Sequence, residues 1–272
     1  MKKNLFPLIT LIISIISFIG CSVNKAKIDN SLKKYFDSAK VDGSFSMINN
    51  QSGEITVYNM KLDTQRFTPA STFKIVNTLI GIETGRITDE NMLIKWNGIK
   101  TWNPDWNKDM TMKEAFKVSA VNYYQEVARR IGYDTMKRWI DTLRYGNMNI
   151  SGPIDSFWLN NTLKISPDEQ LGLVRQLYFD KLPFQKRTHQ IVKDVMLRED
   201  NTQYKLSYKT GWGFDEKQNA IGWIVGWIEE NRHVYFLSLM LKSPDKNYDM
   251  RTNRIKVLKG ILTQYGFLKG EK

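Results

Sequence analysis

Hydrophobic residues recur with one period at both ends of this chain and with another in its middle, and this constrains the fold more than any other feature. Apolar and polar residues alternate on both sides of the turn sequence NNQSGE, within residues 43–59, and again at 204–211, 220–229 and 232–241. A two-residue period is typical of strands with one buried face. Short strands are unstable alone, so we expect these distant segments to share one sheet.

The middle third of the chain follows a helical period of about 3.6 residues. Helices are predicted at 71–84, 111–117, 122–131, 134–143, 167–179 and 187–197, and a last helix at 250–265. The sequence EENR is predicted to form a tight turn between the last two strands. We therefore predict an α+β fold, with an antiparallel sheet built from N- and C-terminal segments, flanking helices and a helical subdomain.

The N-terminus has the pattern of an export signal. Lys2 and Lys3 precede an apolar run from Leu5 to Ile19, which is shorter than the roughly 20 residues that span a bilayer. Because the run leads to Gly20 and Cys21, we predict a lipoprotein-type signal peptide at 1–20 and lipidation of Cys21. The alternatives are an uncleaved anchor and a secreted form. The protein is then exported and anchored to the cell membrane, facing the periplasm or the cell exterior.

A polar, lysine-rich segment follows the cysteine. It predicts a tether at 21–41, with a short helix from about Asp29, and one catalytic domain at 42–272. Composition does not indicate an oligomeric state, and a monomer and a dimer both remain open.

Composition excludes several kinds of chemistry. Cys21 is the only cysteine, so the mature domain has neither a disulfide nor a thiol nucleophile. His189 and His233 are the only histidines and are predicted to be solvated, which disfavours a zinc site or a Ser/His/Asp hydrolase. The net charge of +12 is dispersed along the chain. We therefore expect no binding to nucleic acid, but affinity for anionic surfaces and small anionic substrates.

The pattern Ser-x-x-Lys could carry nucleophilic catalysis, but it occurs four times. The copies begin at Ser22, Ser31, Ser71 and Ser243. Only the copy of Ser71 and Lys74 follows a proline and leads into an apolar helix, where burial would give the neutral lysine that a base requires. The alternative is a helix-capping serine with an outward-pointing lysine.

Four further triplets accompany this pair in a fixed order: SAV at 119–121, YGN at 145–147, FWL at 157–159 and KTG at 209–211. The combination resembles the class D β-lactamases, a family of penicillin-recognising serine enzymes. In class A enzymes and penicillin-binding proteins S-D-N accompanies S-x-x-K and K-T-G, whereas SAV stands in its place here. The resemblance runs from about residue 42 to the C-terminus and implies a β-lactamase/penicillin-binding-protein-like fold.

This resemblance implies hydrolysis of β-lactam antibiotics through an acyl-enzyme, which would confer β-lactam resistance. Ser71 would be the nucleophile, and Lys74, carboxylated by CO2 or bicarbonate to N6-carboxylysine, the general base. Ser119 would relay a proton to the lactam nitrogen. The walls of the carbamate pocket would be Val121, Trp158 and Leu159. Tyr145 and Asn147 would shape the cleft, and no further cofactor or metal is implied.

The resemblance also implies how the substrate binds. The substrate-binding residues would be Lys209, Thr210, Gly211, Trp212 and Arg251. Arg251 matches the family's arginine for the substrate carboxylate, with Arg254 as the alternative, because a carboxylate favours charge-assisted hydrogen bonds. The oxyanion hole would consist of the backbone N–H groups of Ser71 and Trp212.

Two other interpretations share part of this pattern. A β-lactam sensor or penicillin-binding domain that is acylated without turnover has the same motifs, although the sequence contains no multi-span region that would pass on a signal. A basic envelope lipoprotein that binds a ligand without catalysis is the third interpretation. Trp96, Trp102 and Trp106 are predicted to pack in the core or at its rim, or to border the substrate mouth.

Overall fold

The computed structural model describes residues 26–272, and the predicted signal peptide and residues 21–25 of the tether, with Cys21, lie outside them. The strands within this range are β1 Lys27–Ile28, β2 Asp42–Asn49, β3 Ile55–Tyr58, β4 Leu93–Ile94, β5 Met110–Thr111, β6 Leu197–Asp200, β7 Lys205–Phe214, β8 Ala220–Glu230 and β9 His233–Ser243. The helices are α1 Lys33–Ala39, α2 Met60–Asp63, α3 Lys74–Glu83, α4 Met112–Val118, α5 Val121–Ile131, α6 Tyr133–Thr142, α7 Pro167–Tyr178, α8 Lys186–Met196 and α9 Met250–Gln264.

One seven-stranded sheet joins the two ends of the chain, as the periodicity predicts. Its strand order is β1-β3-β2-β9-β8-β7-β6, and all neighbours are antiparallel except β1 and β3. β2 pairs with β9 over its whole length, from Asp42 opposite Lys242 to Asn49 opposite Tyr235. The predicted α+β fold is therefore confirmed, and strands β4 and β5 form a separate two-stranded sheet.

Helices cover both faces of the large sheet. Trp223, Val225 and Trp227 alternate along β8 and face the core formed with the helices between residues 70 and 196. Ile224 and Ile228 face the opposite core, which contains residues of α1 and α9. Because β8 is buried on both sides, its sequence is apolar almost throughout, as expected for a central strand.

The ends of several elements differ from the predictions. β8 and β9 extend further than expected, so their turn consists of Asn231 and Arg232 alone, both with positive φ. This geometry matches the two-residue hairpin loops that suit the twist of a sheet. The C-terminal tail binds this hairpin, because Glu230 accepts hydrogen bonds from the backbone N–H groups of Leu268 and Glu271, at 3.1 and 2.8 Å.

The prediction that both histidines are solvated is wrong for His189. Its side chain is fully buried in α8, packs edge-on against Phe184, and bonds through Nδ1 to Gln185 O at 3.0 Å. Between residues 26 and 272, no three His, Cys, Asp or Glu side chains are grouped so that they could hold a metal ion. In the same range no helix is long and apolar enough to cross a bilayer.

Candidate active site

Ser71 lies in a turn of 3-10 helix, Ala70–Phe73, that leads directly into α3. Neither this turn nor α3 has a side-chain cap, so the interpretation of Ser71 as a capping residue is wrong. Instead, Lys74 Nζ is hydrogen-bonded to Ser71 Oγ at 2.7 Å. Ala70 precedes the serine with φ of 47°, an uncommon conformation for a residue other than glycine, and its N–H donates to Trp158 O at 3.1 Å. The turn is thus held in a strained conformation by the loop around Trp158.

Lys74 is completely buried at the start of α3. Among the described residues no carboxylate lies within 4.0 Å of its nitrogen, and the ring centroid of Tyr124 lies 5.5 Å away. Burial lowers the pKa of Lys74 to about 7, because the ammonium form loses its hydration. A large fraction of the side chain is therefore neutral near pH 7, which a general base beside a serine requires.

The residue Trp158 packs against the turn that holds Ser71. It is completely buried and stacks on Phe73 with ring centroids 5.4 Å apart. Its Nε1–H has no hydrogen-bond partner within residues 26–272, and such a buried donor carries an energetic penalty. An acceptor such as the carbamate predicted on Lys74 would satisfy it. Val121 and Leu159 line the cavity above it together with Ser71.

A second pair of a serine and a lysine faces the first. Ser119 has φ of 60° at the C-terminal end of α4, and its Oγ accepts a hydrogen bond from Lys209 Nζ at 2.8 Å. Lys209 is fully buried on β7, and its pKa lies well below the usual range. The main cause is burial, to which the nearby cations Lys74, Arg198 and Arg254 add. Both lysines of the site are thus held away from water.

The backbone of β7 forms one wall of the site. A Cβ atom on Gly211 would lie 3.0 Å from Pro69 O and 3.2 Å from Thr72, so a larger residue there would press on the turn that holds Ser71. Glycine allows the strand to approach the nucleophile closely. Thr210, Gly211 and Trp212 line the same cavity as Ser71.

The two arginines of α9 have different environments. Arg254 Nη1 donates to Gly211 O at 2.6 Å, and burial lowers its pKa to about 10, which leaves it charged at neutral pH. Arg251 is exposed and forms no ion pair within the described residues, although it lines the same cavity. Both arginines line the cavity beside the Lys209-Thr210-Gly211 strand, and the preference for Arg251 over Arg254 stays a prediction.

The cavity itself has a volume of about 810 Å³. Ser71, Ser119 and Thr210 lie on its lining, and tryptophans border its mouth. Trp102 is 70% exposed and makes edge-on contacts with Trp106 and Trp212, with centroids 5.0 and 6.1 Å apart. Trp102 thus lies at the mouth, whereas Trp106 is buried in the core beneath it, and both positions were predicted for the tryptophan segment. Trp96 lines a different cavity.

Tyr145 and Asn147 support the site without facing it. Tyr145 is buried against Phe73 with centroids 5.7 Å apart. Asn147 joins two stretches of the connecting loop, because its Nδ2 donates to Thr162 O at 2.9 Å and its Oδ1 accepts from Lys164 N at 3.0 Å. Both contacts fit the structural role expected for them.

Sequence reasoning missed two residues of the site. The ring of Tyr124 borders Lys74, and its hydroxyl bonds to Thr78 Oγ1 at 2.9 Å. Arg198 approaches the strand of Lys209 from behind, where its Nε donates to Tyr208 O at 3.2 Å. An aromatic residue at helical spacing and an arginine at the start of a strand are ordinary structural patterns. Neither pattern therefore indicated that the residue belongs to the site.

The chain was compared with known proteins. Residues 38–263 match the family model described as penicillin binding protein transpeptidase domain. A probable β-lactamase, YbxI of Bacillus subtilis, is 37% identical over 98% of this chain and 99% of its own length. The β-lactamase OXA-48 of Klebsiella pneumoniae is 38% identical over 79% of this chain and 81% of its own length.

Solved structures show the same relationship. A class D β-lactamase from Sebaldella termitidis superposes with a TM-score of 0.85 at 33% identity, covering 90% of this chain and 100% of that structure. The family model spans most of the chain, and the sequence and structural relatives agree in their class. The chain therefore belongs to the class D β-lactamases, within the penicillin-binding transpeptidase fold.

Proposed function

We propose that this protein hydrolyses β-lactams through an acyl-enzyme on Ser71, with Lys74 as the general base in its carboxylated form, and so confers β-lactam resistance. The observation that carries the proposal is the hydrogen bond of 2.7 Å between Ser71, which lines the cavity, and the fully buried Lys74. The membership of the family and the similarity to proteins named β-lactamases support it.

In the acylation step Ser71 Oγ attacks the lactam carbonyl carbon and the C–N bond of the ring breaks. The hydroxyl proton leaves toward the base at Lys74, and a proton reaches the leaving nitrogen from Ser119 Oγ, which Lys209 resupplies. The backbone N–H groups of Ser71 and Trp212 are the proposed donors to the carbonyl oxygen as negative charge develops there. Each transfer uses groups that the fold brings to one cavity.

The charge of the substrate affects the protonation of Lys209 in this relay. A β-lactam carboxylate is proposed to lie beside Lys209, Thr210 and Arg251, with Arg254 as the alternative arginine, where charge-assisted hydrogen bonds hold it. Its negative charge favours the ammonium form of Lys209, whose pKa is depressed in the free protein. When the anionic substrate binds, Lys209 takes up a proton from solvent. This is the proton that the leaving nitrogen needs.

Carboxylation of Lys74 would supply a carboxylate base that activates both Ser71 and the deacylating water. The unpartnered Trp158 Nε1–H and the lowered pKa of Lys74 support this proposal, since CO2 reacts with a neutral amine. Bicarbonate is the proposed source of CO2. The lipid anchor on Cys21 and an exported location remain proposals that rest on the sequence alone.

A chromogenic cephalosporin tests the reaction. We expect repeated turnover by the parent and no covalent adduct in Ser71→Ala by mass spectrometry. Lys74→Ala is expected to acylate slowly and then stall, with kcat/KM lower by about 10²- to 10⁴-fold, the range of general base catalysis. Lys34→Ala, in another Ser-x-x-Lys copy, is the matched control and should behave as the parent.

Three results would contradict parts of the proposal. A single stoichiometric burst with a stable adduct would indicate a sensor or penicillin-binding domain that is acylated without turnover, and no adduct would leave only a binding protein. Activity lost at low pH should return when bicarbonate is added. Indifference to bicarbonate would count against the carboxylated lysine but not against Ser71.

A further inference from the structure

Arg198 is the extra residue of a β-bulge in β6, and the proposed mechanism gives it no part. Its two neighbours in β6 lie opposite Ser207 and Leu206, which are adjacent in β7, so no residue of β7 lies opposite Arg198. A bulge bends the strand and turns the side chain of its extra residue in a new direction, often beside an active site. Here the guanidinium reaches the C-terminal end of α4.

The guanidinium of Arg198 joins two elements through backbone carbonyls. Its Nε donates to Tyr208 O in β7 at 3.2 Å. Its Nη1 donates to Lys117 O at 3.3 Å and its Nη2 to Phe116 O at 3.4 Å, both in the last turn of α4. The last carbonyls of a helix lack partners inside it, so they are open to such donors. The planar fork of one arginine thus connects α4 to β7.

These two elements carry the groups of the proposed proton relay, which runs from Lys209 through Ser119 to the leaving nitrogen. Ser119 directly follows the last residue of α4, and Lys209 directly follows Tyr208 in β7. The hydrogen bond of 2.8 Å between Lys209 Nζ and Ser119 Oγ therefore joins the same two elements that Arg198 joins. Any shift of α4 against β7 changes the distance over which the proton passes.

The charge of Arg198 also acts on Lys209. Both cations lie against the ring of Phe116, with Arg198 Cζ 5.8 Å and Lys209 Nζ 5.5 Å from its centre. Because both distances end at one point, the cations lie within about 11 Å of each other, where repulsion is appreciable in a protein interior. Burial is the main cause of the lowered pKa of Lys209, and the charges of Lys74, Arg198 and Arg254 add to it.

The other titratable groups that face the two cations are basic or phenolic. They are Lys74, Arg254, Tyr124 and Tyr208. Burial raises the pKa of both tyrosines, so their hydroxyls are neutral near pH 7. Glu199, the next residue of β6, is engaged elsewhere, because it accepts a hydrogen bond from Lys259 Nζ at 2.5 Å. Arg198 itself forms no ion pair within the described part of the chain, so its charge is not neutralised there.

We propose that Arg198 is a positioning residue of the proton relay, which fixes Ser119 against Lys209 and keeps Lys209 neutral until an anionic substrate binds. Lys209 then takes up its proton only when the substrate that needs this proton is present. The proposal rests on the proposed function, because it takes from it the relay through Ser119. Loss of the positive charge raises the pKa of Lys209, whereas loss of the guanidinium fork loosens α4 from β7.

The pH dependence of kcat/KM separates charge from structure. For benzylpenicillin the basic limb of this profile reports the pKa of Lys209 in the free enzyme, because the relay needs the ammonium form. In Arg198→Met we expect that limb to move up by about 0.5 to 1 pH unit, the effect of one partly screened charge about 10 Å away. The acidic limb should stay, since it depends on Lys74, whose pKa is lowered by burial.

Further variants test the guanidinium fork. Arg198→Lys keeps the charge but cannot span the three carbonyls, so its basic limb should stay near that of the parent while kcat/KM falls about threefold to tenfold at every pH. Arg187→Met is the matched control, because this exposed arginine of α8 also donates to a backbone carbonyl, Thr88 O, at 2.7 Å and lies outside the cavity of Ser71. It should leave both limbs and kcat/KM unchanged.

A second measurement does not depend on turnover. NMR of protein labelled with ¹³C-lysine gives the pKa of Lys209, whose signal is the one missing in Lys209→Met. We expect this pKa to rise in Arg198→Met by about the same amount as the basic limb moves. If Arg198→Met does not fold, the neutral variant Arg198→Gln, which keeps one donor, takes its place.

Three outcomes would overturn the inference. An unchanged pKa of Lys209 in the neutral variants would exclude the role of the charge, and an equal rise in Arg198→Lys would assign the effect to packing. Parental kcat/KM in Arg198→Lys would exclude the positioning role. If the parent forms no adduct on Ser71, the proposed function fails instead, and the NMR titration still decides whether Arg198 keeps Lys209 neutral.

Discussion

At the scale of single residues, Trp158 is the most informative side chain of the site after the two reacting ones. Its buried N–H has no acceptor within the described residues, and its ring stacks on Phe73 in the turn before Lys74. Natural proteins rarely bury an unpaired donor without a purpose. The carboxylated lysine proposed above would give this N–H an acceptor.

Trp158→Phe should preserve the ring packing and remove the donor. We expect the bicarbonate concentration for half-maximal activity to rise about tenfold, since one charge-assisted hydrogen bond contributes about 1.5 kcal/mol or more. Titration with ¹³C-bicarbonate, followed by NMR of the lysine carbamate, measures the change directly. Trp139→Phe, which stacks on Phe184 away from the site, is the control. An unchanged bicarbonate requirement in Trp158→Phe would contradict this role.

At the scale of elements, the long periodic helices and strands were predictable from the sequence, and the shortest elements were not. The sequence predicts the long helices and strands to within a few residues, because a repeated period averages over local exceptions. Strands β1 and β6 and helix α2 are two to four residues long, and only their neighbours stabilise them. No local pattern indicates such elements.

The site likewise contains residues that the sequence predicts and residues that it does not. Motifs with fixed spacing predict that Ser71, Lys74 and Lys209 belong to the site. The choice between Arg251 and Arg254 depended on which side of α9 faces β7, and the sequence near the start of that helix does not show it. Contact with Gly211 O could be seen only after the sheet was assembled. His189 was missed because its burial depends on the packing of α8 against Phe184.

Helix α2 places a carboxylate in the interior. Asp63 is 2% exposed, and burial raises its pKa to about 7, with a smaller contribution from the charge of Asp168. The native state therefore binds the proton of Asp63 more tightly than the unfolded state does. Between pH 3.8 and about 7 this group lowers stability as the pH rises, and above pH 7 the full penalty is present.

Asp63→Asn should relieve that penalty. At pH 8 the free energy of unfolding is expected to increase by on the order of 2 to 4 kcal/mol, and at pH 4 the difference should be small. Urea denaturation at both pH values measures it. Asp42→Asn, an exposed aspartate of β2, is the control. Equal effects of Asp63→Asn at the two pH values would contradict the raised pKa.

At the scale of the whole molecule, charge and fold act together. The full chain has a net charge of +12, to which its first 25 residues add only three lysines. A cationic domain attracts anionic substrates over distances of about one Debye length, roughly 8 Å at physiological ionic strength. The charge thus supports capture of β-lactams before any specific contact forms.

Salt should weaken this capture. Between 20 and 500 mM NaCl we expect kcat/KM for benzylpenicillin to fall about twofold to fivefold because of screening. The α-amino derivative of the same penicillin is a zwitterion without net charge, and its kcat/KM should change less. Steady-state hydrolysis at several salt concentrations compares them. A parallel decline for both substrates would indicate a general salt effect and not electrostatic attraction.

The pairing of β2 with β9 has a consequence for how the protein is made. β2 ends at Asn49, but its partner begins only at His233. A nascent chain that stops before that point holds Ser71 and Lys74 without β9, one of the two strands that pair with β2, and such distant pairing is slow to form. Premature stop codons in almost any part of the gene will therefore yield a substrate for proteases and not a shortened enzyme.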